Sequence, residues 1–143
     1  MDYVLDASVA VKWFVEEDHS EAARYLLRRF GEGSVDLFAP SILMYEVGNA
    51  LWRMVDRLKL LKAKYAMDTY SSFLQLPIHY SEMTGEDVSD SLGLSLKMGL
   101  TLYDMIYLKL SDKLAKTLIT ADGEILRKAG KDFKVAHLSE TPK

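Results

Sequence analysis

Apolar positions fall in short blocks separated by polar punctuation along the whole chain. Val4-Leu5 runs directly into Asp6-Ala7-Ser8, the pattern of a brief buried strand that meets a helix start. Val9 to Val15 is apolar except for Lys12 and predicts a short helix, which the polar run Glu16-Glu17-Asp18-His19-Ser20 breaks. From Ser20 to Phe30, Ala22, Ala23, Leu26, Leu27 and Phe30 recur at helical spacing, with Arg24, Arg28 and Arg29 turned outward. Gly31-Glu32-Gly33-Ser34 ends that helix, and Val35 to Ala39 reads as a second strand. Pro40-Ser41 then opens a long helix to about Asp56, striped by Ile42, Leu43, Val47, Ala50, Leu51 and Met54.

A further helix is predicted from about Leu61 to Leu74, followed by a weak strand over residues 75–80. Thr84 to Met98 is helical and opens on Thr84-Gly85-Glu86-Asp87, close to a capping box. Gly99-Leu100-Thr101 breaks it before an apolar helix from Leu102 to Leu114. Lys116 to Thr120 is a strand, Asp122-Gly123 turns into a helix ending near Ala129, and Lys134 to Leu138 is a final strand. Ser139 to Lys143 is expected to fray. Strands alternating with helices predict an α/β fold around a mostly parallel sheet. Ligands of such sheets bind beyond the carboxyl ends of the strands, which draws attention to Asp6 and Asp122.

Composition narrows the chemistry. With 143 residues the chain is expected to form a single domain over residues 1–143. The absence of cysteine excludes disulfide scaffolds, thiolate-bound metals and thiol catalysis, and suits a reducing cytoplasm. Only three histidines, His19, His79 and His137, make an imidazole metal site a poor expectation. No apolar run is long enough to span a membrane, and the N-terminus lacks a signal-peptide pattern, so a cytoplasmic protein with no membrane contact is expected. The formal net charge of −3 gives no global basic footprint, so nucleic-acid binding would need a local patch or a metal.

Four carboxylates sit in apolar company: Asp6 after Tyr3-Val4-Leu5, Glu46 within Ile42 to Val47, Asp104 within Leu102 to Leu108, and Asp122 after Thr117 to Ala121. Removing one ionised carboxylate from water costs several kcal/mol unless something compensates. Asp6, Asp104 and Asp122 each have an ordinary alternative as helix-cap or first-turn acids. Glu46 has less of one, because it lies well inside its helix, three residues after Leu43 and four before Ala50. An internal hydrogen bond with Asn49 is its remaining structural alternative. A shared compensator for all four is a hard divalent cation, Mg²⁺ or Mn²⁺, held as one or two ions by carboxylate and water oxygens. Such ions generate hydroxide near neutral pH and stabilise charge during in-line attack on a phosphodiester. Ser8 and Thr120 stand where they could orient Asp6 or act as caps.

These segments resemble the motifs of PIN-domain ribonucleases, most closely the VapC-type toxins of prokaryotic toxin–antitoxin pairs. Val4-Leu5-Asp6-Ala7-Ser8-Val9-Ala10-Val11-Lys12-Trp13-Phe14 is similar to the first motif, and Pro40 to Leu51 resembles the second, which carries the glutamate. Gly99 to Asp104 resembles the third and Leu118 to Asp122 the fourth, in order from about residue 2 to residue 138. The resemblance implies a three-layer α/β/α sandwich around a mostly parallel sheet of four to five strands. It also implies Mg²⁺- or Mn²⁺-dependent endoribonuclease activity. Asp6, Glu46, Asp104 and Asp122 would be the catalytic and metal-binding acids, supported by Ser8, Asn49 and Thr120. It further implies RNA as substrate, a homodimer or higher homo-oligomer, and a small antitoxin protein as partner. One departure is Gly123, where relatives often carry a larger polar or basic residue.

The alternative to the enzyme is a non-catalytic PIN-like module that binds RNA or protein. Other α/β readings fit less well: a haloacid-dehalogenase-like phosphatase needs a second aspartate where Ser8 stands, and no glycine fingerprint for a dinucleotide follows the first strand. The clusters Arg24, Arg28, Arg29 and Arg53, Arg57, Lys59, Lys62, Lys64 offer phosphate contacts but read mainly as solvated helix faces. Trp13, Tyr45, Trp52, Tyr103 and Tyr107 are expected in the core or a dimer interface rather than as stacking platforms for bases.

Overall fold

The computed structural model describes residues 1–141. Five strands, β1 (Asp2–Leu5), β2 (Asp36–Pro40), β3 (His79–Ser81), β4 (Thr117–Thr120) and β5 (Val135–His137), form one sheet in the order β3-β2-β1-β4-β5. Every pairing is parallel, so the expected mostly parallel sheet is wholly parallel among the described residues. Val4 lies between Phe38 of β2 and Leu118 of β4, and Leu5 pairs with Ile119. Val4, Leu5, Leu118 and Ile119 have no exposed surface. This is why both strands read as continuous apolar runs: a central parallel strand is covered on both faces.

The helices are α1 (Ala7–Ala10), α2 (Ser20–Gly31), α3 (Ile42–Asp56), α4 (Ala63–Leu74), α5 (Gly85–Met98), α6 (Leu102–Leu114) and α7 (Gly123–Ala129). Parallel strands need crossovers, and crossovers are right-handed. The chain steps outward from β1 through β2 to β3, then returns to β4 on the other side of β1. The first set of connections therefore covers one face with α1 to α4, and the second covers the opposite face with α5 to α7, giving the expected α/β/α layers. Consistently, α6 packs across β1, β2 and β4, and α3 packs on α1, α4 and β2. No helix among the described residues is long and apolar enough to cross a membrane.

Three elements differ from the sequence expectation. The helix expected from Val9 to Val15 is α1 followed by a 3-10 turn over Val11–Trp13. The tighter winding swings Trp13 onto α2, where its indole N–H donates to the Ala23 carbonyl at 2.9 Å. The weak strand lies at His79–Ser81, later than residues 75–80, because Pro77 has no N–H to give a ladder and the chain first turns at Leu76–Ile78. The tail is ordered further than expected: Leu138–Glu140 forms a 3-10 turn with Leu138 fully buried, and the His137 side chain accepts from Ser139 N–H. Pro142 and Lys143 lie outside the described residues.

Candidate active site

A parallel sheet whose chain order reverses leaves a crevice beyond the carboxyl ends of the two strands at the reversal. Here those strands are β1 and β4, and the Asp6 N–H donates to the Ile119 carbonyl at 3.1 Å, tying the two ends together. Asp6 follows β1, and Asp122 lies two residues beyond β4.

Asp6 occupies the N-cap position of α1, yet its carboxylate makes no capping bond. Instead Asp6 Oδ2 accepts from the Ser8 hydroxyl at 2.6 Å and from the Thr120 hydroxyl at 2.7 Å. Both hydroxyl protons are thereby used, so the 3.3 Å approach of Ser8 Oγ to Thr120 Oγ1 is a contact rather than a further bond. The two oxygens in turn accept from the backbone: Ser8 from Ala121 N–H at 3.0 Å, Thr120 from Asp122 N–H at 3.0 Å. Ser8 and Thr120 thus both orient the Asp6 carboxylate. Asp6 is 4% exposed, and burial raises its carboxyl to about 6. Ser8 and Thr120 pull it back, while the charges of Asp104 and Asp122 push it up.

Glu46 enters from α3, whose buried stripe is Leu43, Val47, Leu51 and Met54. Its helical position places it at the edge of that stripe rather than inside it, half-buried and facing the cleft. Burial raises its carboxyl to about 7, with the Asp6 charge next in size and Asp104 adding a smaller push. The Tyr107 side chain lowers it in part, but neither Glu46 Oε1 nor the Tyr107 hydroxyl closes a hydrogen bond of ordinary geometry, and both atoms are buried without a partner. Asn49 lines the same cleft but is exposed and does not satisfy Glu46, which removes the internal-pair alternative.

Asp104 and Asp122 take the helix-start positions that their ordinary alternatives describe. Thr101 caps α6 by accepting from Asp104 N–H at 3.1 Å, and Asp122 caps α7 by accepting from Glu124 N–H at 2.8 Å. Burial still raises the Asp104 carboxyl; Thr101 opposes this, and Asp122 and Glu124 add to it. The electrostatic couplings therefore link Asp6 to Glu46, Asp104 and Asp122 through the carboxyl end of one sheet. No three carboxylate or imidazole groups among the described residues stand close enough to ligate a single ion together.

The pocket opens into a cleft of about 970 Å³. Lys12 lies on its wall, 9% exposed, with its ammonium 3.1 Å from Glu17 Oε1. The sequence pattern treats Glu17 only as part of a polar break, because nothing local says that it folds back onto Lys12. Tyr107 is likewise hidden in the apolar run of α6. Of the basic residues, Arg24 pairs with Glu16, Arg57 with Asp56 and Lys64 with Asp68, while Arg53 lines the cleft. Tyr45, Trp52 and Tyr103 are exposed, so of the two places expected for them, the core and a dimer interface, the core is excluded.

A three-layer parallel α/β fold with an acidic pocket at the β1/β4 reversal defines the class. The chain belongs to the PIN domain family, whose model matches residues 3–131. It is 32% identical over 133 residues to Ribonuclease VapC3 of Pyrobaculum aerophilum, covering 90% of this chain and 95% of that protein. The fold is shared with VapC20 of Mycobacterium tuberculosis, described as a sarcin-ricin loop cleaving toxin. That match has a TM-score of 0.69 at 11% identity, over 92% of this chain and 95% of the other. A toxin–antitoxin complex from Klebsiella pneumoniae matches with a TM-score of 0.67 at 16% identity, over 97% of this chain and 99% of the other.

Proposed function

We propose that this chain is an endoribonuclease that hydrolyses RNA phosphodiester bonds with Mg²⁺ or Mn²⁺, the toxin of a VapBC-type toxin–antitoxin pair. The observation that carries the reading is the buried Asp6 carboxylate, held by Ser8 and Thr120 at the reversal of the sheet beside a cleft lined by Glu46 and Asp122. The likeness to Ribonuclease VapC3 supports the same chemistry.

The residues fit a hard divalent cation. The donors are all oxygen, Glu46 Oε1 is buried with no partner, and the Asp6 and Glu46 carboxyls hold protons more tightly than usual, chiefly because they are buried and then because other acids lie near. Mg²⁺ commonly takes only one or two protein carboxylates and keeps its waters, so a cage of three acids is not required. Asp6, Glu46, Asp104 and Asp122 would hold one or two ions, no more than two of these acids to an ion and water completing the shell. When bound, such ions supply a hydroxide-like nucleophile and neutralise charge on the attacked phosphate. The chain itself contributes orientation. Ser8 and Thr120 fix the Asp6 carboxylate from one side, and both take their own alignment from the backbone N–H groups after β4. Thr101 fixes the first turn of α6, and so the position of Asp104. Lys12 and Arg53 supply positive charge on the cleft wall for the RNA backbone.

The same reading includes a single nuclease domain over residues 1–143 acting in the cytoplasm, self-association as a homodimer, and a small antitoxin that masks the cleft. Purified protein with Mn²⁺ cuts RNA, and a chelator or Asp6→Asn lowers the rate by at least roughly a hundredfold, on the scale of losing a transition-state charge stabiliser. Unchanged cleavage by Asp6→Asn refutes the assignment. Absence of both cleavage and metal binding in the wild-type protein favours the non-catalytic binding module.

A further inference from the structure

The cleft wall carries side chains that the acid chemistry does not use. Tyr45 is 71% exposed and Tyr103 is 57% exposed, and both line the cleft. Each stands one position before a site acid on a helix: Tyr45 before Glu46 on α3, Tyr103 before Asp104 on α6. With 3.6 residues per turn, successive side chains diverge by about 100°. On α3 both Glu46 and the preceding Tyr45 line the cleft, and on α6 it is Tyr103 that does so. The arrangement occurs on helices from opposite faces of the sheet, so the pocket is flanked by aromatic rings from two directions.

On α3 the pattern extends. Tyr45, Asn49 and Arg53 are four residues apart, share one helix face and all line the cleft. Arg53 is exposed and, among the described residues, no carboxylate pairs with it, unlike Lys12 and Arg24. A ring, a carboxamide and a guanidinium in a row do not suit an apolar partner helix, which would want aliphatic side chains at that spacing. They suit a nucleotide strand, which offers a base to stack, edge groups to hydrogen-bond and a phosphate to neutralise.

We propose that Tyr45 and Tyr103 seat unpaired nucleobases beside the acid pocket, with Arg53 anchoring the phosphate backbone along α3. The inference rests on the nuclease reading and adds to it the side chains that choose the form of the RNA. A base inside a duplex has no free face for a ring, so these residues select single-stranded or looped RNA. Stacking accepts any base, so they set strandedness rather than sequence.

Both rings are mostly in solvent, so truncating them leaves the core intact. Binding is measured by fluorescence anisotropy with the Asp6→Asn protein, which does not consume its ligand, and a short single-stranded RNA. Tyr45→Ala and Tyr103→Ala each weaken binding by roughly 5- to 150-fold, the range of one base–aromatic stack. Tyr45→Trp and Tyr103→Phe retain affinity. Against an oligonucleotide of the same length built from abasic sugars, the alanine changes have no effect. Arg53→Gln weakens both ligands and reduces the logarithmic salt slope by about 0.7. In otherwise wild-type protein, the alanine variants raise KM more than they lower kcat. Loss of affinity that is equal for normal and abasic RNA, or absent for both while the wild-type protein cuts RNA, overturns the stacking assignment and leaves the nuclease reading in place. A changed oligomeric state with RNA binding unaltered overturns it in favour of a protein-docking face. Wild-type protein that neither cuts nor binds RNA overturns both.

Discussion

The carboxyl of Asp6 holds its proton up to about 6 against the usual 3.8, and that of Glu46 up to about 7 against 4.5, in each case chiefly because burial disfavours the charge. Between those limits the native protein binds more protons than the unfolded chain, so metal-free stability falls as pH rises. The cost is absent only well below pH 3.8, where both groups are neutral in either state, and is complete only above about pH 8, past the value of about 7 for Glu46. Asp87 shifts the other way, to about 2 through its bond with Lys113, and so acts below this window. Thermal melting in chelator from pH 4 to pH 8 therefore shows a falling midpoint, and Asp6→Asn flattens the slope. A midpoint that climbs across the same window contradicts the burial of these two charges. The residue identities were plain from the chain, since an acid following Val4-Leu5 or set amid Ile42 to Val47 stands out. Their protonation was not, because it depends on neighbours more than a hundred positions away, such as Thr120 for Asp6.

Among the elements, capping decides how the acids are presented. α5 begins with a complete capping box, Thr84 and Asp87 each accepting from the other's backbone N–H. α6 begins with Thr101 accepting from Asp104 N–H. Replacing either threonine by alanine removes a cap and costs about 1 kcal/mol of stability. Denaturant melts of Thr84→Ala and Thr101→Ala should thus give similar losses. RNA cleavage separates them: Thr101→Ala slows it, because the first turn of α6 carries Asp104, whereas Thr84→Ala does not. Equal cleavage rates in the two variants remove Thr101 from the site. Most element positions were readable from period and punctuation, as with α3 after Pro40-Ser41 and α5 after Thr84. The failures came where long-range packing overrode a local pattern, as when Trp13 bonds to α2 and the helix after β1 tightens into a 3-10 turn.

For the molecule as a whole, the site is a product of topology. Because β4 lies against β1 and not beyond β3, residues near position 6 and position 120 meet at one end of the sheet. The folded state then concentrates negative charge that the unfolded chain disperses. A cation that binds the assembled pocket and not the open chain must stabilise the fold, by about 2.7 kcal/mol at a hundred times its dissociation constant. Millimolar Mn²⁺ should raise the melting temperature by several degrees, and Asp6→Asn should abolish most of that rise. An unmoved melting temperature in the wild-type protein speaks against a preformed metal site.

Hydropathy period, helix punctuation and the rarity of acids in apolar runs were enough to establish an α/β chain with candidate acids at positions 6, 46, 104 and 122. Those signals are local: each reports which face of one element avoids water. Strand order, the return of Glu17 onto Lys12 and the exposure of Tyr45 and Tyr103 beside the pocket are relations between distant segments. They are set by which elements bury most surface together, and no window of sequence carries that sum.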